Sequence, residues 1–384
     1  MTLHWGQSHI AACLPDHLLA RFHEAYADPN QSPDATTGLP IFNGKTGELL
    51  MEMGADRPVR VSRKKMRNLF KEGLDVQFGK AFIGAETKGE KVEVTFADGT
   101  KAVGDVLVGC DGAKSRVRAV LCGEEGAKLT DVPVSMFNFP YRFDGELAEK
   151  IRAINPLFMS AIHPDHGNMS WISSTSSITL PCYRPLPAKT PPNSQTVQDI
   201  PASTPHDPAT YTFQILLSFT DTSLPTGTSY ADLATQPARM SFFKSRGSTF
   251  AEPWRSATLA IAEGTYLPLD RATYWGSAHQ WPNHKGHMTL AGDAAHPMTP
   301  HRGQGLNNAL MDARAFVECI RNVVDGKGGL EDVVRGYDEE VFQRGTGEME
   351  VSLKQTLFIH DWETVMQSPM VKIGMRQVKE GEGK

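Results

Sequence analysis

Residues 292–307 read Gly292-Asp293-Ala294-Ala295-His296, then Pro300, then Gly303-Gln304-Gly305-Leu306-Asn307. They follow a short apolar run at 288–291. They lead into a segment whose apolar residues Leu306, Ala309, Leu310, Ala313, Phe316, Val317 and Ile320 recur every three or four positions. That spacing draws one face of a helix, with Asn307, Asn308, Asp312 and Arg314 falling elsewhere. Strand, turn and helix in this order put Asp293 at the carboxyl end of a strand, where open parallel sheets place their ligand contacts. Its carboxylate is an acceptor for hydroxyl groups. Gly303 and Gly305 lack a β-carbon, so an outside group can approach the backbone closely where the first helical turn presents unpaired N–H groups. A helix start of this kind suits an anion.

Two earlier groups have the same character. An apolar run at 105–109 passes into Asp111 and Gly112, with Ser115 and Arg118 downstream. This reads as a buried parallel strand followed by a close backbone turn. Cys110, within it, reads as a small buried thiol. Further upstream Ser62 caps a helix that turns Met66, Leu69 and Phe70 inward and carries Arg63 in its first turn. A guanidinium there opposes the helix dipole, so a neighbouring anion such as a pyrophosphate would account for it. A solvent-facing arginine in a basic cluster with Arg60, Lys64, Lys65 and Arg67 accounts for it equally well on the residues alone.

Residues 292–307 resemble the second FAD-binding motif of the aromatic-hydroxylase type of FAD-dependent flavoprotein monooxygenases, and match it without departure. Asp111, Gly112, Ser115 and Arg118 resemble that family's Asp-Gly motif. Arg63 resembles the arginine that opens an earlier helix, with Met66 where leucine is usual. The resemblance implies FAD as cofactor, NAD(P)H as co-substrate, and O2 as the source of an oxygen atom. That atom passes, by way of a flavin C4a-hydroperoxide, to an aromatic or polyketide-like small molecule of the kind met in secondary metabolism. It assigns Gly292, Asp293, Pro300, Gly303, Gln304, Gly305, Leu306 and Asn307 to the isoalloxazine and ribityl chain, with Asp293 on the ribityl hydroxyls. The helix start would face the pyrimidine edge, where fixed N–H donors stabilise the charge of the reduced ring. Arg63, Asp111, Gly112, Ser115 and Arg118 would lie toward the pyrophosphate and the approach of the nicotinamide. No general base is assigned. His296 reads as fixing the turn, and His301 and Arg302 are candidates by position alone.

The same resemblance implies an α/β (α+β) fold. A truncated Rossmann-like FAD-binding domain would be built from residues 1–129 and 276–325. A mostly antiparallel β-sheet substrate domain would span 130–275, with a proline-rich exposed loop at 181–208, and C-terminal helices would cover 326–384. Local patterns predict a helix over 8–24, capped by Ser8 and turning Ile10, Leu14, Leu18, Leu19 and Phe22 to one side. They predict loop over 28–47, strands at 76–82 and 91–96 joined onward by a turn at 97–100, and further strands at 134–143, 157–163, 169–174 and 211–219. Two helices are expected over 330–344 and 348–362, with a frayed tail at 379–384. Trp254, Tyr266, Tyr274, Trp275 and Trp281 either line a pocket for a planar substrate or pack a core. His4 and Trp5 read as a solvated histidine and a core aromatic rather than substrate contacts.

Composition narrows the class. A chain of 384 residues exceeds what one core usually holds, so two domains are expected. A net charge of −5 with 22% charged residues argues against a nucleic-acid surface and leaves no polybasic membrane patch. No apolar run reaches the ~18 residues needed for a transmembrane segment, and the polar residues 1–7 do not read as a signal peptide. The five cysteines are scattered without any C-x-x-C pair, and the 13 histidines show no ligand spacing. Neither a disulfide framework nor a metal site is therefore expected, and a reducing, cytoplasmic setting is.

One family feature is missing. The Gly-x-Gly-x-x-Gly fingerprint of the dinucleotide-binding βαβ unit occurs nowhere: no Gly-x-Gly pair continues to the third glycine, those at 303/305 and 345/347, for example, being followed by Asn308 and Glu350. The expectation is a parallel sheet short of a strand, a weakened grip on the adenosine half of FAD, and reduced stability. The alternative to an active hydroxylase is a non-catalytic or degenerate homologue with impaired FAD binding. A flavin oxidase or dehydrogenase is the third reading.

Overall fold

The computed structural model describes residues 1–3, 5–28, 38–54, 59–156, 158–166, 169–176, 211–368 and 371. His4, the loop at 181–208 and the tail at 379–384 lie outside them. In chain order the first elements are β1 (Thr2–Leu3), α1 (Gln7–Cys13), α2 (Asp16–Leu19), β2 (Gly38–Asn43), β3 (Leu49–Gly54), β4 (Val59–Arg60) and α3 (Arg63–Phe70). A meander of β5 (Phe82–Lys88), β6 (Lys91–Phe96) and β7 (Lys101–Gly104) leads to β8 (Leu107–Gly109) and α4 (Arg116–Gly126). The middle holds β9 (Thr130–Tyr141), α5 (Gly145–Ile154), β10 (Met159–Ile162), β11 (Met169–Ser176), β12 (Tyr211–Thr220), α6 (Gln236–Gly247), α7 (Trp254–Ala260) and β13 (Leu269–Tyr274). The chain continues with β14 (Met288–Leu290), α8 (Gly305–Val324), α9 (Leu330–Ile359) and α10 (Trp362–Gln367).

Seven strands form one sheet in the order β13-β9-β12-β11-β10-β2-β3, antiparallel throughout except for the parallel pair β10–β2. One face buries Phe137, Phe139, Phe213 and Phe219 against Phe243 of α6 and Trp254 of α7. Full burial of each such ring contributes about 1.5–3 kcal/mol, which makes this the principal core. The other face carries Val134, Met136 and Leu216 toward Leu353 of α9. The strands from residues 38–54 complete this sheet across the boundary placed at residue 130.

A separate parallel pair, β14–β8, lies at the centre of the second core, where Leu290, Val117, Trp275, Trp281 and Val341 meet. Among the described residues these two strands are the whole parallel sheet. No helix among them is long and apolar enough to cross a membrane.

Several local expectations are corrected. The helix expected over 8–24 is broken at Pro15, which has no N–H to donate and holds Leu14 extended at φ −100°, ψ 143°. Gly6, not Ser8, stands at the start of α1. Within the expected loop 28–47, Leu39 and Ile41 are buried and β2 forms, because β3 and the distant β10 supply its pairing partners. The strand expected at 76–82 begins only at Phe82, opposite Phe96 of β6, and leaves Val76 and Phe78 exposed. The two C-terminal helices are one helix of 30 residues, α9, which runs through Gly345 and Gly347. A β-carbon at Gly345 would lie 2.8 Å from Cβ of His296, so the glycine permits close packing rather than ending the helix.

Candidate functional site

β14 delivers the chain into a tight turn at Gly292–Ala294, with Gly292 at φ 61°, a conformation that favours glycine. The turn is held from behind by Asp312, fully buried on α8. Its Oδ2 accepts the Gly292 N–H at 2.6 Å and contacts Nε2 of His296 at 2.7 Å, while Oδ1 accepts Nη2 of Arg344 at 2.6 Å. Burial raises the pKa of Asp312, but the His296 hydrogen bond and charge, the Arg344 charge and the Gly292 N–H together hold it below the usual carboxylate range. The carboxylate therefore stays ionised and keeps the turn in place.

With its backbone fixed, Asp293 turns its carboxylate outward. The residue is exposed, and its side chain takes no hydrogen bond or ion pair among the described residues. A β-carbon at Gly305 would stand 3.4 Å from its Oδ1, so this carboxylate looks onto the start of α8. Gly303 is left-handed at φ 65°, with open space where a side chain would be, and no side chain caps the helix. A free carboxylate beside uncapped N–H groups offers acceptors for hydroxyls and donors for a carbonyl or an anion within one small surface. These residues fit the ribityl chain and the pyrimidine edge of a flavin.

The Asn307 side chain is directed elsewhere. Its Oδ1 accepts the Gly6 N–H at 3.2 Å and its Nδ2 donates to the carbonyl of Thr2 at 3.4 Å, so only its backbone remains for a ligand. Gln304 accepts Nε1 of Trp5 at 3.1 Å. Pro300 is exposed in the turn between, while Leu306 packs with Ile10, Val61 and Leu310. The residues that fall off the apolar face of α8 are covered as well: Asn307, Asn308 and Asp312 are fully buried between α1 and α9.

The Asp111 group is built differently. Its carboxylate accepts the Ser115 hydroxyl, the Arg116 N–H at 2.7 Å and the Val117 N–H at 3.3 Å, and Ser115 in turn accepts the Arg118 N–H at 2.9 Å. Asp111 and Ser115 thus cap α4. Gly112 takes φ 86° in the turn before it. Arg118 is buried: it donates to the carbonyls of Ala127 and Ala113, reaches the carbonyl of Ala294 at 2.8 Å, and lies 5.0 Å from the Trp275 ring. It joins the two aspartate turns through the protein rather than facing a ligand. Cys110, read as a buried thiol, is exposed at the end of β8.

Arg63 is exposed in the first turn of α3, behind the Ser62 cap. The same strand end reaches the amino-terminal segment, where Val61 and Met1 exchange backbone hydrogen bonds of 2.8 and 2.9 Å. Arg63 thereby stands on the side of the site that Asn307 ties to Thr2. His301 is buried against α9, with Nδ1 2.9 Å from Oγ1 of Thr356, and Arg302 pairs with Glu348 at 2.8 Å. Burial and the adjacent His360 push the His301 imidazole well below its ordinary pKa. His360 donates Nδ1–H to the Thr356 carbonyl at 2.7 Å and accepts the Ser218 hydroxyl on β12 at 2.8 Å. This polar seam fixes the Pro300 turn to the large sheet. Trp254, Trp275 and Trp281 are buried in the two cores, whereas Tyr266 is exposed, so the aromatic group does not line one pocket.

Asp312, Asn308 and Arg344 were not singled out in the sequence. The signal available was the i, i+4 pair Asn308 and Asp312 on a helix whose other face is apolar.

The FAD binding domain family matches residues 257–350, the span that contains the Asp293 turn and α8. FAD-dependent monooxygenase cctM of Talaromyces islandicus is 33% identical, over 98% of this chain and 86% of its own length. FAD-dependent monooxygenase phnB of Penicillium herquei is 31% identical, over 97% and 84%. Among solved structures, Klebsiella pneumoniae HpxO complexed with FAD and uric acid shares the fold at a TM-score of 0.67 and 18% identity, covering 99% of this chain and 85% of that one. At 33% and 31% identity to these two monooxygenases over nearly its whole length, the chain belongs to the FAD-dependent monooxygenase family.

Proposed function

We propose that this protein hydroxylates an aromatic or polyketide-like small molecule, taking electrons from NAD(P)H and an oxygen atom from O2, in a reducing cytoplasmic setting. Residues 1–129 and 276–325, apart from the strands at 38–54 that complete the large sheet, serve as the cofactor domain, 130–275 with those strands as the substrate domain, and 326–384 as a helical cover. Bound FAD supplies the redox and oxygen-activating chemistry, which amino-acid side chains lack. The observation that carries this reading is the unpartnered Asp293 carboxylate beside the uncapped start of α8.

In this reading Asp293 accepts hydrogen bonds from the ribityl hydroxyls. Gly303 and Gly305 let the flavin reach the backbone, and the N–H groups of Gly305, Leu306 and Asn307 stabilise negative charge at its pyrimidine edge. Gly292, Pro300 and Gln304 shape that surface, and Arg63 supplies a cation for the pyrophosphate. Asp111, Gly112, Ser115 and Arg118 are positioning residues that hold β8, α4 and the Asp293 turn in one frame.

The test is NAD(P)H consumption by the purified chain with added FAD under 18O2, using resorcinol and 1-naphthol as probe phenols. Phenol-stimulated consumption with one labelled oxygen in the product is expected. Consumption that yields only hydrogen peroxide would point to an oxidase, and no turnover at saturating FAD to a non-catalytic homologue.

A further inference from the structure

Trp5 is a large apolar side chain left 44% exposed, yet it is anchored at its tip and on both sides of its backbone. Its Nε1–H donates to Oε1 of Gln304 at 3.1 Å, and the Gln304 amide is itself oriented by donating Nε2 to the carbonyl of Arg302 at 3.3 Å. The His9 ring braces the indole edge-on at a centroid distance of 5.7 Å. The next residue, Gly6, lies against the start of α8: a β-carbon there would come within 2.6 Å of Oδ1 and 2.9 Å of Cα of Asn307. Only glycine lets the segment approach so closely. Asn307 then grips the backbone on either side of Trp5, through Thr2 before it and Gly6 after it.

Holding an exposed indole in one orientation costs side-chain entropy, and its apolar face still meets water. Nothing in the apolar cores gains from that arrangement, since Trp5 belongs to none of the buried clusters. A planar, electron-poor ring arriving at the α8 start would cover the face and find it already oriented. Gln304, which holds the indole, stands at the N-cap of that helix, next to the N–H groups assigned to the pyrimidine edge.

We propose that Trp5 is a cofactor-contact residue whose indole, fixed by Gln304, forms a wall against the pyrimidine side of the isoalloxazine. The proposal rests on the assignment of the α8 start to FAD. Trp5→Phe keeps a ring of similar plane without the Nε1 donor, and Trp5→Ala removes the wall.

The experiment measures FAD affinity by equilibrium dialysis and the emission of bound FAD excited in the flavin band, for wild type and both variants. An indole touching an isoalloxazine quenches its emission, so bound FAD in Trp5→Phe should emit about threefold more than in wild type, with affinity loosened roughly threefold. Trp5→Ala should bind FAD about tenfold more weakly, while the apo-protein melts within about 2 °C of wild type. FAD bound to Trp5→Phe with wild-type emission and affinity would overturn this inference and leave the flavin assignment standing. Failure of the wild-type chain to bind FAD at all would overturn both. Unchanged FAD binding with a raised KM for the phenol in Trp5→Phe would place substrate, not flavin, against the indole, and so also overturn it.

Discussion

Asp111 and Asp293 stand at the ends of neighbouring parallel strands, β8 and β14, whose last paired residues are Gly109 and Leu290. In sequence the two look alike: an apolar strand, an aspartate beside a glycine, a helix shortly after. In the folded chain the first carboxylate accepts three hydrogen bonds from the start of α4, while the second accepts none among the described residues. Distance to the next helix start decides the difference. The capping Ser115 stands four positions after Asp111, so the carboxylate reaches its own helix. Between Asp293 and Gly305 the Pro300 turn intervenes, and the carboxylate faces the helix start without bonding to it. One aspartate builds the frame, and the other is presented by it.

Arg118 is common to both turns, and its loss should have the largest effect. Replacing it by methionine leaves the carbonyls of Ala113, Ala127 and Ala294 without their donor and removes the guanidinium from the Trp275 ring. The expected cost is about 3–5 kcal/mol, read as a lower urea midpoint, because several backbone acceptors lose their donor at once. Lysine should rescue little of it, since one ammonium cannot serve carbonyls spread along two turns. A loss below about 1 kcal/mol would mean that the two turns hold their positions independently.

The paired aspartates separate binding from stability. Asp293→Ala should weaken FAD binding about 30-fold, roughly 2 kcal/mol, with no change in melting temperature, as expected for a carboxylate with no partner of its own. Asp111→Ala should do the reverse, lowering stability by about 1–2 kcal/mol through loss of a helix cap while changing FAD affinity less than about threefold. Equal loss of affinity in both variants, measured by dialysis at matched fraction folded, would show that Asp111 also touches the cofactor.

The Asp293 turn was legible in sequence because its signals are local: an apolar run, glycines where the backbone must be left-handed or bare, and a helix period behind them. The same holds for the Ser62 cap and for β6, whose alternation of Val92 and Val94 is unbroken. What escaped depends on partners far along the chain. β2 forms because Ile41 pairs beside Ser160 of β10, more than a hundred residues away, and no pattern within 38–43 announces that. The helix period only places Asn307, Asn308 and Asp312 off the apolar face of α8, whereas α1 and α9 cover them: Asn307 accepts the Gly6 N–H, and the Arg344 guanidinium donates to Asn308 and Asp312. Gly345 read as a helix end, yet it marks where the His296 ring crosses α9. Buried polar contacts of this kind are specified by three-dimensional complementarity, which a one-dimensional period does not encode.

A third aspartate asks whether hydrogen bonds or exposure set the state of a carboxylate near β14. Asp338 lies on α9 behind the strand, accepting Nε1 of Trp281 at 3.1 Å and the Thr289 hydroxyl. Burial pushes its carboxyl up to about 6, against hydrogen bonds from Thr289, Asn283 and Trp281 that pull it down. A carboxyl whose folded pKa exceeds its unfolded value near 3.9 stabilises the fold fully below about pH 4. That stabilisation is lost as pH rises through 6. Asp338→Asn keeps an acceptor for Trp281 and Thr289 without a charge to bury. It should therefore gain about 1 kcal/mol over wild type at pH 8, some 2–4 °C in melting temperature, and lose that advantage by pH 4. A difference between variant and wild type that stays constant from pH 4 to pH 8 would mean that Asp338 keeps one protonation state throughout, and that its hydrogen bonds rather than its burial control it.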